Sequence, residues 1–232
     1  MCGRFVRVPG TKEIMSAFSV SKDTTARPYT PSYNVAPSHM VPIVFGSDER
    51  VVEDSLWGFL APWKGEHSLV INARVESVFE KPTFRRFTAG GRCVIPMSGY
   101  YEWLTNEETK TRLGLGKGKH PFFISASEGS SLRHGTLLAA AGLVSHEGDA
   151  PRCVMLTQSA NSSIGHIHER MPVLLDGKGL EEWLGKSTAP DLAVVLGASE
   201  DALQSAQASR EVNSVRNNSP RLLEADAPET LF

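Results

Sequence analysis

Short apolar runs separated by turn-forming residues dominate the chain and predict strands more often than helices. Residues 41–45 and 51–57 flank the turn-forming triplet Gly46-Ser47-Asp48 and predict neighbouring strands. Residues 94–103 predict a strand with a bulge or bend, because Pro96 and Gly99 interrupt it. Further strands are predicted over residues 121–125, 137–144 and 154–157.

Helical periodicity is confined to short segments. Residues 11–19 predict a helix with Thr11 as its N-cap, and residues 179–184 predict a second helix with Leu180, Trp183 and Leu184 inward. Residues 158–163 lead into the predicted start of a third helix. Two segments predict irregular structure: residues 29–37 a loop, and the glycine-rich residues 105–120 a hairpin excursion.

These elements predict one α+β domain over residues 1–232. Its compact core spans about residues 2–220, with a bent, mainly antiparallel and barrel-like sheet and a few short helices. The last dozen residues lack periodicity and are expected to fray.

Composition narrows the class of protein. The chain has 232 residues, of which 41% are hydrophobic and 22% charged. These values are typical of a soluble globular domain and exclude disorder, a collagen-like repeat and a fibrous coil. No apolar run approaches the roughly 18 residues of a membrane span, and the first residues lack a signal-peptide pattern. We therefore expect a cytoplasmic protein without membrane contact.

The net charge of −2 conceals a local basic cluster. Residues 64–92 contain six basic side chains: Lys64, Arg74, Lys81, Arg85, Arg86 and Arg92. A protein that coats nucleic acid with its whole surface would be more basic than this chain. The cluster fits either a solvated face or a local groove that contacts a few phosphates, with Arg85 and Arg86 as DNA-binding candidates.

Three cysteines without close spacing predict neither a disulfide framework nor a metal site. Cys93 and Cys153 lie in apolar runs and are expected in the core. No metal is expected at His166 and His168, because no cysteine has matching spacing. Likewise, the glycines between 114 and 118 lack the strand and helix of a nucleotide-binding loop.

Cys2 differs because of its position. Removal of Met1 would leave a residue with both a thiol and a free α-amine, each partly nucleophilic near neutral pH. The thiolate can attack an amide carbonyl with the amine as base. Alternatively, the amine can condense with an aldehyde and the thiol can close a thiazolidine ring.

Six sequence segments, taken together and in their order, resemble a known family and favour one of these two chemistries. They are Cys2-Gly3-Arg4-Phe5, Tyr33-Asn34-Val35-Ala36-Pro37, residues 57–63 (WGFLAPW), residues 71–76 (INARVE), residues 92–103 (RCVIPMSGYYEW) and residues 166–172 (HIHERMP). Together they closely resemble the SOS-response-associated peptidase (SRAP) family, whose members crosslink to abasic sites in single-stranded DNA. The resemblance runs from Cys2 to about Asn218.

The resemblance implies four catalytic residues. Cys2 matches the crosslinking cysteine, and Asn72 matches the asparagine that holds the reacting sugar and the cysteine. Glu102 and His168 match the catalytic glutamate and histidine. Independently of the resemblance, apolar neighbours on a strand can raise the pKa of Glu102, and a histidine can supply a proton near neutral pH.

The resemblance also implies contacts with DNA. Arg4 and Arg74 match arginines that grip phosphates, and Asn34 and Pro37 match a loop that lies against the strand. Thr157 matches a polar residue near the site, and Arg216 a basic position in the closing motif. Trp63 is either a core aromatic or a stacking platform for a base. Met171 and Lys64 depart from the family pattern, where an arginine and a second tryptophan are common.

The implied function is a sensor and shield of abasic sites in single-stranded DNA, with a thiazolidine crosslink through Cys2. Removal of its own Met1 and weak strand cleavage at the lesion are implied activities. No cofactor is expected. The expected partners are damaged DNA, with association with the nucleoid if the source is bacterial, and replication-fork proteins; the protein itself is expected to be a monomer.

Two other functions compete with this one. Met-Cys-Gly at the start also resembles class II glutamine amidotransferases, but these use an Asn-Gly pair for the oxyanion hole and the chain has none. A noncatalytic single-strand-binding module would show salt-dependent affinity without dependence on a lesion. It leaves Cys2, Asn72, Glu102 and His168 unexplained.

Overall fold

The computed structural model describes residues 2–61, 68–197 and 203–226. Its strands in chain order are β1 (Arg4–Arg7), β2 (Lys22–Asp23), β3 (Ser32–Val35), β4 (Met40–Phe45), β5 (Val51–Trp57), β6 (Phe59–Leu60), β7 (Leu69–Val70), β8 (Asn72–Arg74), β9 (Arg92–Met97), β10 (Gly99–Trp103), β11 (Pro121–Ala126), β12 (Leu138–Ser145), β13 (Arg152–Ser159), β14 (Arg170–Pro172), β15 (Leu174–Leu175) and β16 (Leu203–Gln207). The α-helices are α1 (Thr11–Ala17), α2 (Val75–Val78), α3 (Pro82–Arg85), α4 (Glu107–Arg112), α5 (Gly177–Leu184) and α6 (Leu192–Val195).

Five strands of the larger sheet close into a barrel. Neighbouring strands run in the order β13-β12-β9-β4-β5, each pair antiparallel. The ring closes where β5 pairs with β13 in parallel, at Leu56–Arg152 and Trp57–Cys153. The predicted bent, mainly antiparallel and barrel-like sheet is therefore confirmed, and Cys93 and Cys153 are buried within its core.

A second sheet brings the start of the chain next to Glu102. Its order is β16-β11-β10-β1-β3, with every pair antiparallel. In the β1–β10 register, Arg4 faces Tyr101 and Phe5 faces Tyr100. This pairing places Cys2 close to the strand that carries Glu102.

The predicted bend at Gly99 is the point where the chain passes from the barrel to the second sheet. The segment predicted as one strand is two strands, β9 and β10, separated by Ser98. A Cβ on Gly99 would lie 2.4 Å from Cζ of Phe123 and 2.5 Å from the carbonyl oxygen of Ile124. Only glycine allows β10 to pack this closely against β11 at that position.

Helices cover the outer face of the barrel. Ile14 and Phe18 from the α1 region pack with Leu180, Trp183 and Leu184 of α5 in one apolar cluster. Both helices were predicted, although the N-cap of α1 is Gly10 and Thr11 is its first helical residue. Among the described helices, none has the length and apolar character needed to cross a membrane.

Two local predictions were wrong. The segment 29–37, predicted as a loop, contains β3, because Val35 pairs with Phe5 and supplies an edge for β1. No helix begins within residues 158–169, where one was predicted: β13 continues to Ser159, and turns follow. The predicted hairpin excursion 105–120 is confirmed, because it connects the antiparallel strands β10 and β11, and it contains α4, whose N-cap Asn106 accepts from the backbone N–H of Thr109.

The C-terminal segment packs on the second sheet. Leu222, in the 3-10 helix Pro220–Leu223, is fully buried with Val6, Tyr101 and Val212. Part of the tail that was predicted to fray is therefore ordered by burial of one leucine. Residues 227–232 lie outside the described residues.

Candidate active site

Cys2 lies at the centre of the site and is fully buried. Its carbonyl oxygen accepts a hydrogen bond of 2.8 Å from Nδ2 of Asn72. Its Sγ lies 3.7 Å from the carbonyl oxygen of Arg4, to which the thiol donates. Burial raises the pKa of the Cys2 thiol, and the nearby Glu102 raises it further, so the thiol is protonated at neutral pH.

Asn72 reaches Cys2 from the barrel. It begins β8, which pairs in parallel with β13 through Met155. The Oδ1 atom of Asn72 is buried and accepts no hydrogen bond from any of the described residues. Because an unpaired buried acceptor costs free energy, this oxygen is suited to a donor supplied by a substrate.

Glu102 and His168 form the second pair of predicted residues. Glu102 is only 3% exposed, and burial raises the pKa of its carboxyl group while His168 opposes that shift. The Nε2 atom of His168 lies 3.9 Å from Oε1 of Glu102, beyond hydrogen-bond distance. One substrate oxygen can therefore lie within hydrogen-bond distance of both groups.

A hydrogen bond from the backbone fixes the orientation of His168. The N–H of Arg170 donates to Nδ1 of His168 at 2.9 Å, so the neutral ring carries its proton on Nε2, facing Glu102. The side chain of Arg170 is held by two bonds to the carboxylate of Glu76 and by the carbonyl oxygen of Thr157 at 2.7 Å. The hydrogen bonds from Arg170, together with its charge, in turn lower the pKa of Glu76.

The same hydrogen-bond network includes Thr157, which the resemblance placed near the site. The residue is fully buried, and its Oγ1 donates to the carbonyl oxygen of Ala73 and lies 3.3 Å from Nη2 of Arg170. Thr157 thus joins β8, which carries Asn72, to the turn that carries His168.

A cleft of about 640 Å³ opens beside this group. Glu102 and His168 line this cleft, and so does Gly3, the residue next to Cys2. The remaining lining residues are Arg4, Pro37, Trp103, Leu104, Thr105, Lys110, Gly118, Lys119 and Asn213. A mixture of basic side chains and an aromatic ring suits a single-stranded nucleic acid.

Arg4 and Asn34 are joined to the C-terminal segment. Nη1 of Arg4 donates to Oδ1 of Asn34 at 3.0 Å and to the carbonyl oxygen of Val212 at 2.8 Å. Asn34 is 2% exposed and donates to the carbonyl oxygens of Val212, Ser214 and Asn217. In this structure Asn34 faces the protein and orients Arg4, whereas Pro37 lines the cleft.

The other predicted DNA contacts are dispersed. Arg74 is exposed at the end of β8, two residues after Asn72. Arg85 is exposed at the end of α3, and Arg86 lies in a different cleft, where it pairs with Glu147 at 2.7 Å. Arg216 is exposed in a turn of the C-terminal segment. Trp63 lies outside the described residues.

Sequence reasoning missed the basic and aromatic wall of the cleft. Lys110 and Lys119 belong to a segment that was interpreted only as an excursion between strands. Trp103 directly follows Glu102, and its Nε1 donates to Oδ1 of Asn213 at 2.8 Å. The signal was present as Lys110, Lys117 and Lys119 in the glycine-rich segment after the Glu102 motif, of which the first and last line the cleft. In the part of the chain that the structure describes, no three His, Cys, Asp or Glu side chains are grouped so as to hold a metal ion.

Comparison with known proteins places this chain in a family. Abasic site processing protein YoaM of Bacillus subtilis is 35% identical over 239 residues, covering 97% of this chain and 99% of the relative. Abasic site processing protein YedK of Escherichia coli is 28% identical over 237 residues, again covering 97% of this chain and 99% of the relative.

Solved structures show the same fold. A crystal structure of a protein from Bacteroides thetaiotaomicron superposes with a TM-score of 0.74 at 19% identity, covering 97% of this chain and all of that one. The family model described as SOS response associated peptidase (SRAP) matches residues 1–215. This chain therefore belongs to the SOS response associated peptidase family.

Proposed function

We propose that this protein processes abasic sites in single-stranded DNA by crosslinking to them through Cys2, after Met1 has been removed. One observation carries the proposal: the hydrogen bond from Asn72 fixes the backbone of Cys2 beside a cleft that contains Glu102 and His168. The names of the relatives, abasic site processing proteins, support the same substrate. Because such sites are exposed where duplex DNA is unwound, we place this action at replication forks.

The first chemical step opens the abasic sugar. The sugar is mostly a closed hemiacetal, so an acid and base must act at its ring oxygen and C1 to expose the aldehyde. The raised pKa of Glu102 leaves more of its carboxyl group protonated near neutral pH, where it can donate to the ring oxygen. His168 faces the same position with the proton on Nε2.

Condensation then joins Cys2 to the sugar. The α-amine adds to C1, the resulting carbinolamine loses one water, and an imine forms. The Cys2 sulfur adds to the imine carbon while its proton passes to the nitrogen, which closes the thiazolidine ring. One C–N and one C–S bond form, one water leaves, and no oxidant or reductant takes part.

The protonation of the thiol favours this order of events. A buried, protonated thiol is a poor nucleophile towards an amide, whereas the amine can react first and bring the sulfur next to an electrophilic imine. The unpartnered Oδ1 of Asn72 can accept a hydrogen bond from the new amine or from a sugar hydroxyl. Both features support crosslinking over the amide-hydrolase alternative.

The direct test is intact mass after incubation with an abasic single-stranded oligonucleotide. The wild-type protein is expected to lose Met1 and gain the mass of the DNA less one water. Cys2→Ala is expected to give no heat-stable adduct. Cys2→Ser keeps an α-amine and should form an imine that borohydride traps. Without borohydride, this variant should give no heat-stable adduct.

A matched control is Cys153→Ala, which removes a buried thiol from the barrel and should leave adduct formation intact. A heat-stable adduct with Cys2→Ala would refute the thiazolidine. If the wild type loses Met1 but forms no adduct, the amide-hydrolase function of Cys2 becomes the favoured one. Glutaminase and peptidase assays would then test it.

We further infer that Glu102 takes part in removing Met1 from its own chain. The carboxyl group is buried beside Cys2, as a proton-transfer group for this peptide bond must be. Glu102→Gln should therefore retain Met1 when N-terminal mass is measured. Complete loss of Met1 in that variant would exclude self-processing by Glu102. Slow strand cleavage through the imine is the accompanying lyase activity, detectable as shortened DNA in the Cys2→Ser reaction.

A further inference from the structure

A second cleft of about 560 Å³ lies on the other side of the loop that carries Pro37. Two arginines, Arg7 and Arg27, line it together with Tyr29 and His39. None of these four residues belongs to the group around Cys2. The cleft therefore calls for its own explanation.

Two buried donors in this cleft have no acceptor among the residues that the structure describes. They are Nε of Arg7 and Oη of Tyr29. The same arginine is held in place, since its Nη2 donates to the carbonyl oxygen of Thr30 at 3.1 Å and its guanidinium lies 5.0 Å from the centre of the Tyr29 ring. Unpaired buried donors are costly, and two of them at one cleft indicate a ligand with acceptor oxygens.

The donors of the cleft indicate that this ligand is an anion. Arg7 and Arg27 line it with one carboxylate, Asp54, whose Oδ2 already accepts from the backbone N–H of Ala26 at 3.1 Å. Glu13 lies beside the Tyr29 ring but does not line the cleft. His39 adds a further donor: its Nδ1 accepts from the N–H of Ala36 at 3.3 Å, so the neutral ring carries its proton on Nε2.

A rigid turn separates the second cleft from the cleft beside Cys2. The N–H of Ser38 donates to the carbonyl oxygen of Trp57 at 2.8 Å, and Ser38 has a positive φ of 69°. Such a conformation is uncommon for a serine and persists only where surrounding contacts impose it. Pro37 lines the first cleft, while Ser38 and His39 line the second.

Strand β1 contributes one residue to each cleft, and a register shift against β3 between Phe5 and Arg7 interrupts the regular alternation of its side chains. Arg4 lines the first cleft and Arg7 the second. At about 3.3 Å per residue, their Cα atoms are roughly 10 Å apart along the strand. A polyanion that enters the first cleft and passes over Pro37 meets the second cleft next.

We propose that the second cleft binds a backbone phosphate of the DNA strand that flanks the abasic site, with Arg7, Arg27, Tyr29 and His39 as its donors. The inference rests on the proposed function for the identity of the polyanion. It adds a subsite outside the crosslinking centre, so DNA longer than the lesion itself binds more tightly than a minimal abasic oligonucleotide.

The test measures noncovalent binding by the full-length Cys2→Ala protein to fluorescent abasic oligonucleotides across a range of salt concentrations. Arg27→Gln, Arg7→Gln and Tyr29→Phe are each introduced into that background. Each arginine variant should weaken binding several-fold, and the slope of log K against log salt should become shallower by about 0.7, the value for one phosphate contact on a single strand. Tyr29→Phe should weaken binding without changing the slope.

Two controls make the result specific. Arg133→Gln removes an exposed arginine that lines neither of these clefts and should change neither affinity nor slope. Arg27 is exposed and makes no side-chain hydrogen bond or ion pair with the described residues, so its variant remains informative if Arg7→Gln is unstable. With oligonucleotides that carry one long flank, the arginine variants should lose affinity for only one of the two kinds, 5′-flanked or 3′-flanked.

The outcomes separate this inference from the proposed function. If the wild-type protein crosslinks but Arg27→Gln and Arg7→Gln keep the wild-type affinity and slope, the subsite is refuted while the function stands. If these variants bind inorganic phosphate more weakly than the wild type but bind DNA equally well, the cleft binds a small free anion. The proposed contact with the DNA strand is then refuted. If the wild type forms no adduct, the proposed function fails independently.

Discussion

Asn72 shows how one side chain serves both the fold and the chemistry. Its Nδ2 holds the backbone of Cys2, and its Oδ1 is buried without a partner in the protein. An aspartate could not donate the first bond and would add a charge next to Glu102. A neutral amide thus satisfies the backbone of Cys2 and retains an acceptor for the substrate.

Burial of Glu102 makes the stability of the protein depend on pH. Because its pKa is raised in the folded state, the folded protein binds more protons than the unfolded chain above the ordinary glutamate pKa of about 4.3. Stability from this group is thus fully present below that pH and is lost as the pH rises through the folded pKa. Glu102→Gln removes the dependence, so its stability relative to wild type should increase between pH 4.5 and pH 8.

Chemical denaturation at several pH values measures this difference. Because Glu102→Gln is expected to retain Met1, intact mass identifies the N-terminus of each protein, and the result compared is the change of the difference with pH, not its absolute size. Glu224→Gln is a suitable control, because it replaces an exposed carboxyl group and leaves the buried Glu102 in place. A wild-type protein that gains stability over Glu102→Gln as the pH rises would contradict the assignment of burial as the dominant cause.

The residue types of the site could be read from the sequence, but their exposure could not. In the structure Asn72 donates to the carbonyl oxygen of Cys2, and His168 lies 3.9 Å from Glu102. The catalytic roles of these residues stay predictions. Asn34 is different, because its partners lie 178 to 183 residues away in the C-terminal segment. Local pattern cannot show that such a side chain is enclosed.

At the scale of elements, the junction between β9 and β10 sets the position of Glu102. Gly99→Ala would place a methyl group 2.5 Å from the carbonyl oxygen of Ile124 and still closer to Phe123. Because backbone must move to relieve this contact, we expect a loss of about 1–3 kcal/mol in the free energy of unfolding. The displaced β10 should also slow crosslinking.

Gly116→Ala is the matched control, since a Cβ there meets nothing within 4 Å. Denaturant unfolding and the rate of adduct formation should both stay near wild-type values in this variant. Equal stability of the Gly99→Ala and wild-type proteins would show that β10 is free to move away from β11 without cost.

Element prediction succeeded where hydrophobic pattern and turn residues agreed. Residues 41–45 and 51–57 fall on β4 and β5, and the predicted helix 179–184 falls within α5. It failed for β3, a short strand in a proline-rich segment that exists because β1 needs an antiparallel neighbour. Pairing across the sheet, which local sequence does not encode, decided that segment.

At the scale of the whole molecule, the site joins distant parts of the chain. The start of the chain supplies Cys2 and Arg4, β8 supplies Asn72, and β10 supplies Glu102. The barrel fixes β8 through β13, whereas the second sheet fixes β1 against β10. The geometry of crosslinking therefore depends on how these two sheets pack on each other.

The C-terminal segment completes this arrangement through Asn34. Asn34→Ala removes three bonds to the carbonyl oxygens of residues 212, 214 and 217 and also the anchor of Arg4. At about 1 kcal/mol for each net hydrogen bond, we expect a loss of roughly 2–4 kcal/mol in the free energy of unfolding. Hydrogen exchange should become faster at Val212 and Asn217 while the barrel strands stay protected.

Crosslinking by Asn34→Ala should also slow, because Arg4 loses one of its two partners at the edge of the cleft. Asn217→Ala is the control: its Nδ2 donates only to the carbonyl oxygen of Glu211, so it loosens the same segment without touching Arg4. Faster exchange in both variants with slower crosslinking only in Asn34→Ala would assign the kinetic effect to Arg4. Equal crosslinking rates in the two variants would instead show that Arg4 keeps its position without Asn34, and that the segment's role is confined to stability.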